Sequence, residues 1–212
     1  MTREGVSPSL FQINDKISEL IEFAETKIKQ KKYMACKSFT LSGIALPCKD
    51  NMGGIKEVYI VKSADVTSKT LNTEESQIAT IVLAESAKFK TYKFRKGTAS
   101  MTSTASSDEA IGNFSVATEL GLQFSKMETS KRLEIMALCL EDVEVIVLDW
   151  NGKYWYLGYD FPVTATAATA QTGTASTDLN GYNVTLTDTS SEFPFEVPEA
   201  IIKDLIQTAP TV

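Results

Sequence analysis

The chain has 212 residues, an ordinary hydrophobic content of 43% and a formal net charge of −6. This length fits one domain, or one domain with an added arm, and is sufficient to bury a core. An acidic chain gains little from counterion release on a phosphate backbone, which disfavours tight nucleic-acid binding. Histidine is absent, which excludes Ser-His-Asp and Cys-His catalysis and His-ligated metal sites.

Other motif-based chemistry is also missing from the sequence. Cys36, Cys48 and Cys139 form no CxxC pair, and their apolar contexts predict free thiols packed as small hydrophobes. No phosphate-binding or calcium-binding loop motif occurs, so we expect no catalytic residue, no cofactor and no metal site. The amino terminus lacks an apolar signal stretch, and the apolar run at 78–84 is too short for a membrane span. These features predict a chain made in a reducing cytoplasm, without membrane association.

Residues 1–33 predict an N-terminal helical arm, because their apolar residues recur at helical spacing. These residues are Leu10, Ile13, Ile17, Leu20, Ile21, Ala24 and Ile28. Ser7 followed by Pro8 is typical of a helix start. Two interpretations stay open: the helix packs on its own domain, or it docks on a neighbouring subunit through Leu10, Ile13, Ile17 and Leu20. Met34 offers an alternative start that would make this arm an appendage.

Residues 34–198 predict a mainly β domain. We expect strands at 39–46, 55–61 and 78–84, with a polar loop over 66–77. The segment 94–123 predicts a long antiparallel hairpin, because its second half alternates strictly. Phe114, Val116, Thr118, Leu120, Leu122 and Phe124 share one face, and Glu119 lies on the other, which is small, polar and weakly acidic. A hairpin this long is either an ordinary strand pair or part of a sheet shared between subunits, in which the edges are paired.

The second half of the domain begins with a short predicted helix. Its expected buried face consists of Leu133, Met136, Ala137 and Leu140, with Met136 as core filler and Thr129 or Ser130 as the cap. A hairpin is expected next, with its turn at Asn151-Gly152. The aromatic residues around it, Trp150, Tyr154, Trp155 and Tyr156, are either a sugar platform or core packing.

The carboxyl-terminal part predicts three further elements. The Ala/Thr-rich stretch 163–177 is either a flexible loop or a flat strand. A strand with Tyr182, Val184 and Leu186 on one face follows the Asn180-Gly181 turn. After Pro198, the segment 199–212 predicts a short helix and tail.

Several segments resemble virion structural proteins of tailed phages of Bacteroidota, crAss-like phages included. They are KSFTLSGIAL (37–46), GGIKEVYI (53–60), YKFRKGTASMTST (92–104), ELGLQFSKMETSKR (119–132), GKYWYLGYD (152–160) and QTGTASTDLNGYNVTL (171–186). The order of elements is also similar to tail-tube folds, which combine a β-sandwich or barrel with a long β-hairpin and one flanking α-helix. Residues 1–33 fall outside the resemblance.

The resemblance implies a non-catalytic virion protein of the tail that forms a homo-oligomeric ring or tube. DNA would pass through without specific binding, and other tail or head–tail connector proteins would be its neighbours. Asp108, Glu109 and Glu119 would then face the lumen, and Phe114, Val116 and Leu120 would join the arm residues at subunit interfaces. A head–tail connector ring is the close alternative, and a carbohydrate-binding β-sandwich is the alternative from another class. An enzyme is the least favoured class.

Overall fold

The computed structural model of the chain describes residues 41–46, 49–74 and 76–207. The chain divides into two compact units, Met1–Cys48 and Lys49–Val212. The predicted helical arm, including Leu10, Ile13, Ile17 and Leu20, lies outside the described residues, as do Met34, Cys36 and Cys48. Residues 41–46 form no strand, so the prediction for this part of 39–46 is wrong. Their exposed backbone has no paired strand among the described residues, and strand geometry depends on such pairing.

The described residues of the second unit form twelve strands and two helices. In chain order they are β1 (Ile55–Lys62), β2 (Val66–Leu71), β3 (Ile78–Leu83), β4 (Phe89–Lys93), β5 (Ala99–Asp108), β6 (Asn113–Ser125), α1 (Thr129–Leu140), β7 (Val143–Asp149), β8 (Tyr154–Leu157), β9 (Thr164–Gln171), β10 (Gly181–Ser190), β11 (Phe195–Glu196), α2 (Glu199–Leu205) and β12 (Ile206–Gln207). A 3-10 turn, Ser63–Asp65, joins β1 to β2. The prediction of a mainly β chain is confirmed.

The strands form three sheets. The largest has six strands in the order β11-β8-β7-β1-β4-β12, and the second has four in the order β5-β6-β10-β9. The hairpin of β2 and β3 is the third. All neighbouring strands are antiparallel except β12, which runs parallel to β4.

The six-stranded sheet is buried on both faces, because its central strands alternate two sets of apolar side chains. On β7, Val143, Val145 and Val147 face a core shared with β6, β10 and α1. Ile146 and Leu148, on the opposite face of β7, contact a second core that β3 and α2 close. Strands with continuous apolar runs are typical of sheets covered on both sides. The domain is therefore a sandwich of two sheets, with a hairpin and a helix on the far side of the larger sheet.

Several predicted elements are confirmed. The long hairpin is present, with β5 and β6 in continuous register from Ala99 opposite Leu122 to Asp108 opposite Asn113. The Asn151-Gly152 turn joins β7 to β8, and Gly152 has the positive φ of 79° that this turn requires. The stretch 163–177 contains a strand, β9, at a sheet edge. The terminal helix is α2, whose Ile202 is buried in the second core, so it belongs to this unit.

Other predictions for this unit are wrong. The first half of the segment 66–77 is a strand, because β2 pairs with β3 in an antiparallel ladder. The helix α1 buries Ile135 and Leu138, whereas Leu133, Met136 and Leu140 are exposed. Packing against two sheets, rather than the stronger apolar pattern, decides which face is buried. Cys139 lies on the outward side of the same helix and is exposed.

The predicted cap of α1 is also wrong. The helix starts after Glu128, whose side chain makes no capping hydrogen bond. It lies close to Lys126 and Lys131 instead. These two ammonium groups lower the pKa of Glu128, with the hydrogen bond from Lys126 as the largest cause.

Candidate functional site

The four-stranded sheet has one buried and one uncovered face. Its buried side carries Val116, Leu120 and Leu122 of β6 together with Val184 and Leu186 of β10. The alternate residues form the uncovered side, which we call the open face. Its members are Ser100, Thr102, Thr104 and Ser106 of β5, Ser115, Ala117, Glu119, Gly121 and Gln123 of β6, and Asn183, Thr185, Thr187 and Thr189 of β10. The face is therefore composed almost wholly of small hydroxyl, amide and glycine residues.

Charge is unevenly distributed between the two large sheets. None of the four strands β5, β6, β9 and β10 contains a lysine or an arginine, whereas β1 and β4 each contain two lysines. On the open face Glu119 lies between Thr102 on β5 and Thr187 on β10. Thr187 also shares a hydroxyl hydrogen bond of 3.0 Å with Thr166 of β9. Because Lys and Arg dominate phosphate binding, this surface offers little attraction for a nucleic-acid backbone.

The end of the long hairpin extends beyond the core. Every residue from Thr104 to Phe114 is exposed, and we call Asp108–Phe114 the hairpin tip. Asp108 Oδ1 accepts a hydrogen bond from the backbone N–H of Ala110 at 2.9 Å, which orders the turn. Ile111 and Phe114 are 74% and 53% exposed. The tip therefore presents two carboxylates, from Asp108 and Glu109, beside two apolar side chains.

Among the described residues, neither edge of the four-stranded sheet pairs with a further strand: β5 pairs with β6 and β9 with β10. The helix α1 packs against β9. These edges are ten and eight residues long, and they contain no lysine and no proline, which natural sheets commonly use to block edges. The six-stranded sheet differs, since its outermost strands, β11 and β12, have two residues each. Short edge strands are a known protection against pairing with other chains.

A buried polar cluster joins β2 to the six-stranded sheet. Glu144 of β7 is 3% exposed, and its Oε1 lies 2.8 Å from Lys69 Nζ on β2. Tyr156 donates to the other carboxylate oxygen, and Ser63 Oγ lies 3.3 Å from Oε1. Lys69 also donates to the carbonyl of Gly158. Burial raises the pKa of Glu144, and the hydrogen bond and charge of Lys69 oppose that rise.

A second buried carboxylate lies on β10. Asp188 is 2% exposed, and its Oδ1 has no hydrogen-bond partner among the described residues. Burial raises the pKa of Asp188, a backbone hydrogen bond from Gly158 opposes the rise, and the negative charge of Asp160 adds to it. Asp160 is itself fixed by the N–H and hydroxyl groups of Ser191, both at 2.7 Å. These contacts connect the two sheets through the segment after β8.

The structure separates the residues predicted to face a lumen. Glu119 lies on the open face, as its alternation predicted. Asp108 and Glu109 lie at the hairpin tip, and six residues of strand, about 20 Å, separate Glu119 from this end of β6. They are therefore two acidic features rather than one.

The residues predicted to form an interface are also divided. Phe114 is half-exposed and accessible to a neighbour, but Val116 and Leu120 are fully buried within this chain. Both are 0% exposed, and Leu120 belongs to the core between the two large sheets, so the interface prediction does not hold for these two residues. Their side chains hold the hairpin against the rest of its own chain.

The aromatic residues do not form one exposed platform. Tyr154 and Tyr156 belong to the second core and Trp155 to the first, because adjacent strand residues point in opposite directions. Trp155 Nε1 donates to Asp149 Oδ2 at 3.2 Å. Trp150 packs on Gly54, where an added Cβ would lie 3.2 Å from its ring. This arrangement favours the packing interpretation of the row.

Sequence reasoning missed the free edges and both buried carboxylates. A signal existed for the carboxylates: Glu144 interrupts an apolar run in β7, and Asp188 continues the buried series Tyr182, Val184 and Leu186. Free edges leave no comparable local signal, because they depend on which strands pair. No group of three His, Cys, Asp or Glu side chains within the described residues is arranged to hold a metal ion.

No protein-family model, no curated protein and no solved structure matches the chain. In the part of the chain that the structure describes, no helix is long and apolar enough to cross a bilayer.

Proposed function

We propose that the chain is a non-catalytic subunit of a phage tail, in which four-stranded sheets join edge to edge into a ring or tube around a channel for DNA. The two long edge strands β5 and β9, which pair with no further strand among the described residues, are the observation that carries this proposal. Bare edges of this length are a liability in a monomer, because their free N–H and C=O groups template pairing with another chain. Pairing in a ring satisfies both edges at once.

The strand directions favour continuation of the sheet between subunits. All four strands alternate in direction, so β5 and β9 run in opposite directions. When a rotation relates neighbouring subunits, β9 of one meets β5 of the next as an antiparallel pair. Because strands lie about 4.8 Å apart, each subunit adds at least about 19 Å to the circumference of the ring.

The burial pattern selects which face would line the channel. The other face of the sheet is covered by the six-stranded sheet and α1, so only the open face is left for the lumen. That face has hydroxyl groups, amide groups and Glu119, and its strands contain no lysine or arginine. A surface of this kind lacks the cations that retain phosphates, and Glu119 repels them. In this role the protein forms the wall of a channel and catalyses no reaction.

Blocking the edges tests the proposal. Ser100 on β5 and Ala167 on β9 are exposed and lie at the same level of the sheet, that of Gly121 and Thr185. Lysine side chains at both positions would crowd positive charge at the junction between subunits, so we expect the variant Ser100→Lys/Ala167→Lys to stay monomeric. Wild-type protein at high concentration is expected to form rings in negative-stain micrographs and to sediment as an oligomer. Thr189→Lys is the control, because it adds a lysine to the same face on the interior strand β10, and it should assemble.

Two results would contradict the proposal. One is a wild-type protein that stays monomeric at every concentration tested. The other is an edge variant that assembles as well as the Thr189→Lys control.

A further inference from the structure

The helix α1 presents a continuous exposed face that none of the described residues covers. At 100° per residue, six exposed residues of α1 fall within one arc of about 160°. They are Arg132, Leu133, Met136, Ala137, Cys139 and Leu140. Leu133 and Leu140 are 58% and 78% exposed. We call this arc the outer face of α1. Exposed apolar side chains grouped in this way mark an interaction surface.

The outer face carries one cation that is not neutralised within the described residues. Glu128, Glu134 and Glu141 are engaged with Lys131, Tyr92 and Lys62 respectively. No ion pair or hydrogen bond of the Arg132 guanidinium occurs within the described part of the chain. The face therefore combines an apolar surface with a positive charge near the helix amino terminus, where the helix dipole is also positive.

The hairpin tip has the complementary composition. Asp108 and Glu109 supply two exposed carboxylates, and Ile111 and Phe114 supply two exposed apolar side chains. The segment Asp108–Phe114 contains no cation. Tip and outer face thus match in both respects: an acidic end meets a cation, and apolar side chains meet apolar side chains.

We propose that the hairpin tip of one copy docks on the outer face of α1 of a second copy. The same molecule cannot make this contact, since α1 starts just after the base of the hairpin, where Lys131 Nζ bonds the carbonyl of Ser125 at 2.7 Å. The eleven residues 115–125 of β6 that separate the tip from the base span about 36 Å. The contact is therefore heterologous, joining opposite ends of successive molecules along the strand direction.

This contact extends the proposed function. It rests on that proposal only where the docking is assigned to the direction in which rings stack. Edge pairing runs across the strands and would close a ring, whereas tip-to-helix docking runs along the strands and would stack one ring on the next. A contact of a few side chains is weak for a single pair. It becomes strong when every subunit of a ring makes it simultaneously.

A disulfide test uses the thiol already present on the outer face. In the full chain carrying Cys36→Ser and Cys48→Ser, the substitution Ile111→Cys places a thiol at the tip, and Cys139 provides its partner on α1. Head-to-tail docking predicts a ladder of dimers, trimers and longer species on a non-reducing gel after mild oxidation. Glu85→Cys, in the exposed turn between β3 and β4, is the matched control and should give no ladder.

Charge reversal makes the test specific. Adding Arg132→Glu to the Ile111→Cys chain should reduce the crosslinked fraction at least five-fold, and adding Asp108→Lys and Glu109→Lys to that variant should restore it. A ladder as strong in the Glu85→Cys control, or one unaffected by Arg132→Glu, would overturn the docking proposal. Rings without a ladder refute the docking and leave edge pairing intact, whereas a ladder without rings refutes the ring and leaves the docking intact.

Discussion

Replacing Lys69 by methionine should destabilise the domain strongly, although Lys69 is on a peripheral hairpin. Its ammonium lies 2.8 Å from the carboxylate of Glu144, which is 3% exposed, while Lys69 itself is 22% exposed. The ammonium also lies 5.6 Å from the centre of the Tyr156 ring. Methionine preserves most of the side-chain volume and removes the charge, so the perturbation leaves a buried carboxylate without its cation.

The expected magnitude follows from that geometry. Removing one partner of a buried ion pair costs about 3–5 kcal/mol, because the remaining charge stays desolvated. Tyr156 and Ser63 still donate to Glu144 after the substitution, so we expect about 3 kcal/mol, the lower end. With a urea m-value of about 2 kcal/mol/M, the unfolding midpoint should fall by about 1.5 M.

Urea titration followed by fluorescence of Trp150 and Trp155 measures this change. Lys69→Met/Glu144→Gln removes both charges and should recover most of the loss, since no unpaired charge then remains. Lys62→Met is the control, because Lys62 and Glu141 form a similar pair at 2.8 Å with both side chains about half exposed, and it should leave the midpoint close to wild type. Two results would refute the reasoning. One is a Lys69→Met midpoint equal to that of the control; the other is a double variant that loses as much stability as Lys69→Met and Glu144→Gln lose separately, added together.

Three further predictions concern the four-stranded sheet. Burial raises the pKa of Asp188. The stability contributed by its protonated form is therefore complete below the ordinary aspartate pKa and is lost as pH rises through the raised value. Asp188→Asn should stabilise the domain at neutral pH and not at acidic pH, as measured by urea unfolding across pH. Gly181→Ala would place a Cβ 2.0 Å from the carbonyl oxygen of Phe124 and should cost about 3 kcal/mol or prevent folding, whereas Gly121→Ala meets only a side-chain oxygen at 3.3 Å and should be tolerated in the same thermal melt. Glu119→Lys should leave assembly intact and slow DNA ejection from mutant particles, because it replaces a repulsive charge by an attractive one; unchanged ejection kinetics would count against a lumen position.

The elements that the sequence predicted well are those with strong local patterns. The alternation from Phe114 to Phe124 and the Asn151-Gly152 turn depend on neighbours in the chain, and the structure contains both hairpins. The strand β2 was missed because its polar sequence has no such pattern. It is a strand through pairing with β3 and through the contact of Lys69 with Glu144, which is 75 residues away.

The buried face of α1 could not be predicted for a related reason. The helix has two apolar stripes, and the stronger one, with Leu133, Met136 and Leu140, is exposed. A sequence pattern can indicate that a helix is amphipathic, but which stripe is buried depends on the elements against which the helix packs. The candidate site divides in the same way: the alternation placed Glu119 on the open face, whereas the free edges of β5 and β9 depend on the complete pairing of the sheet.

Hydrogen exchange along these two edges tests edge-to-edge assembly most directly. In an antiparallel edge strand about half of the backbone N–H groups point away from the sheet, so the outward amides of β5 and β9 should exchange rapidly in dilute protein. In assembled protein at high concentration these same amides should become protected, while those of the central strands β1 and β7 are slow in both states. Outward amides of β5 and β9 that exchange equally fast in dilute and in assembled protein would contradict the assembly through these edges.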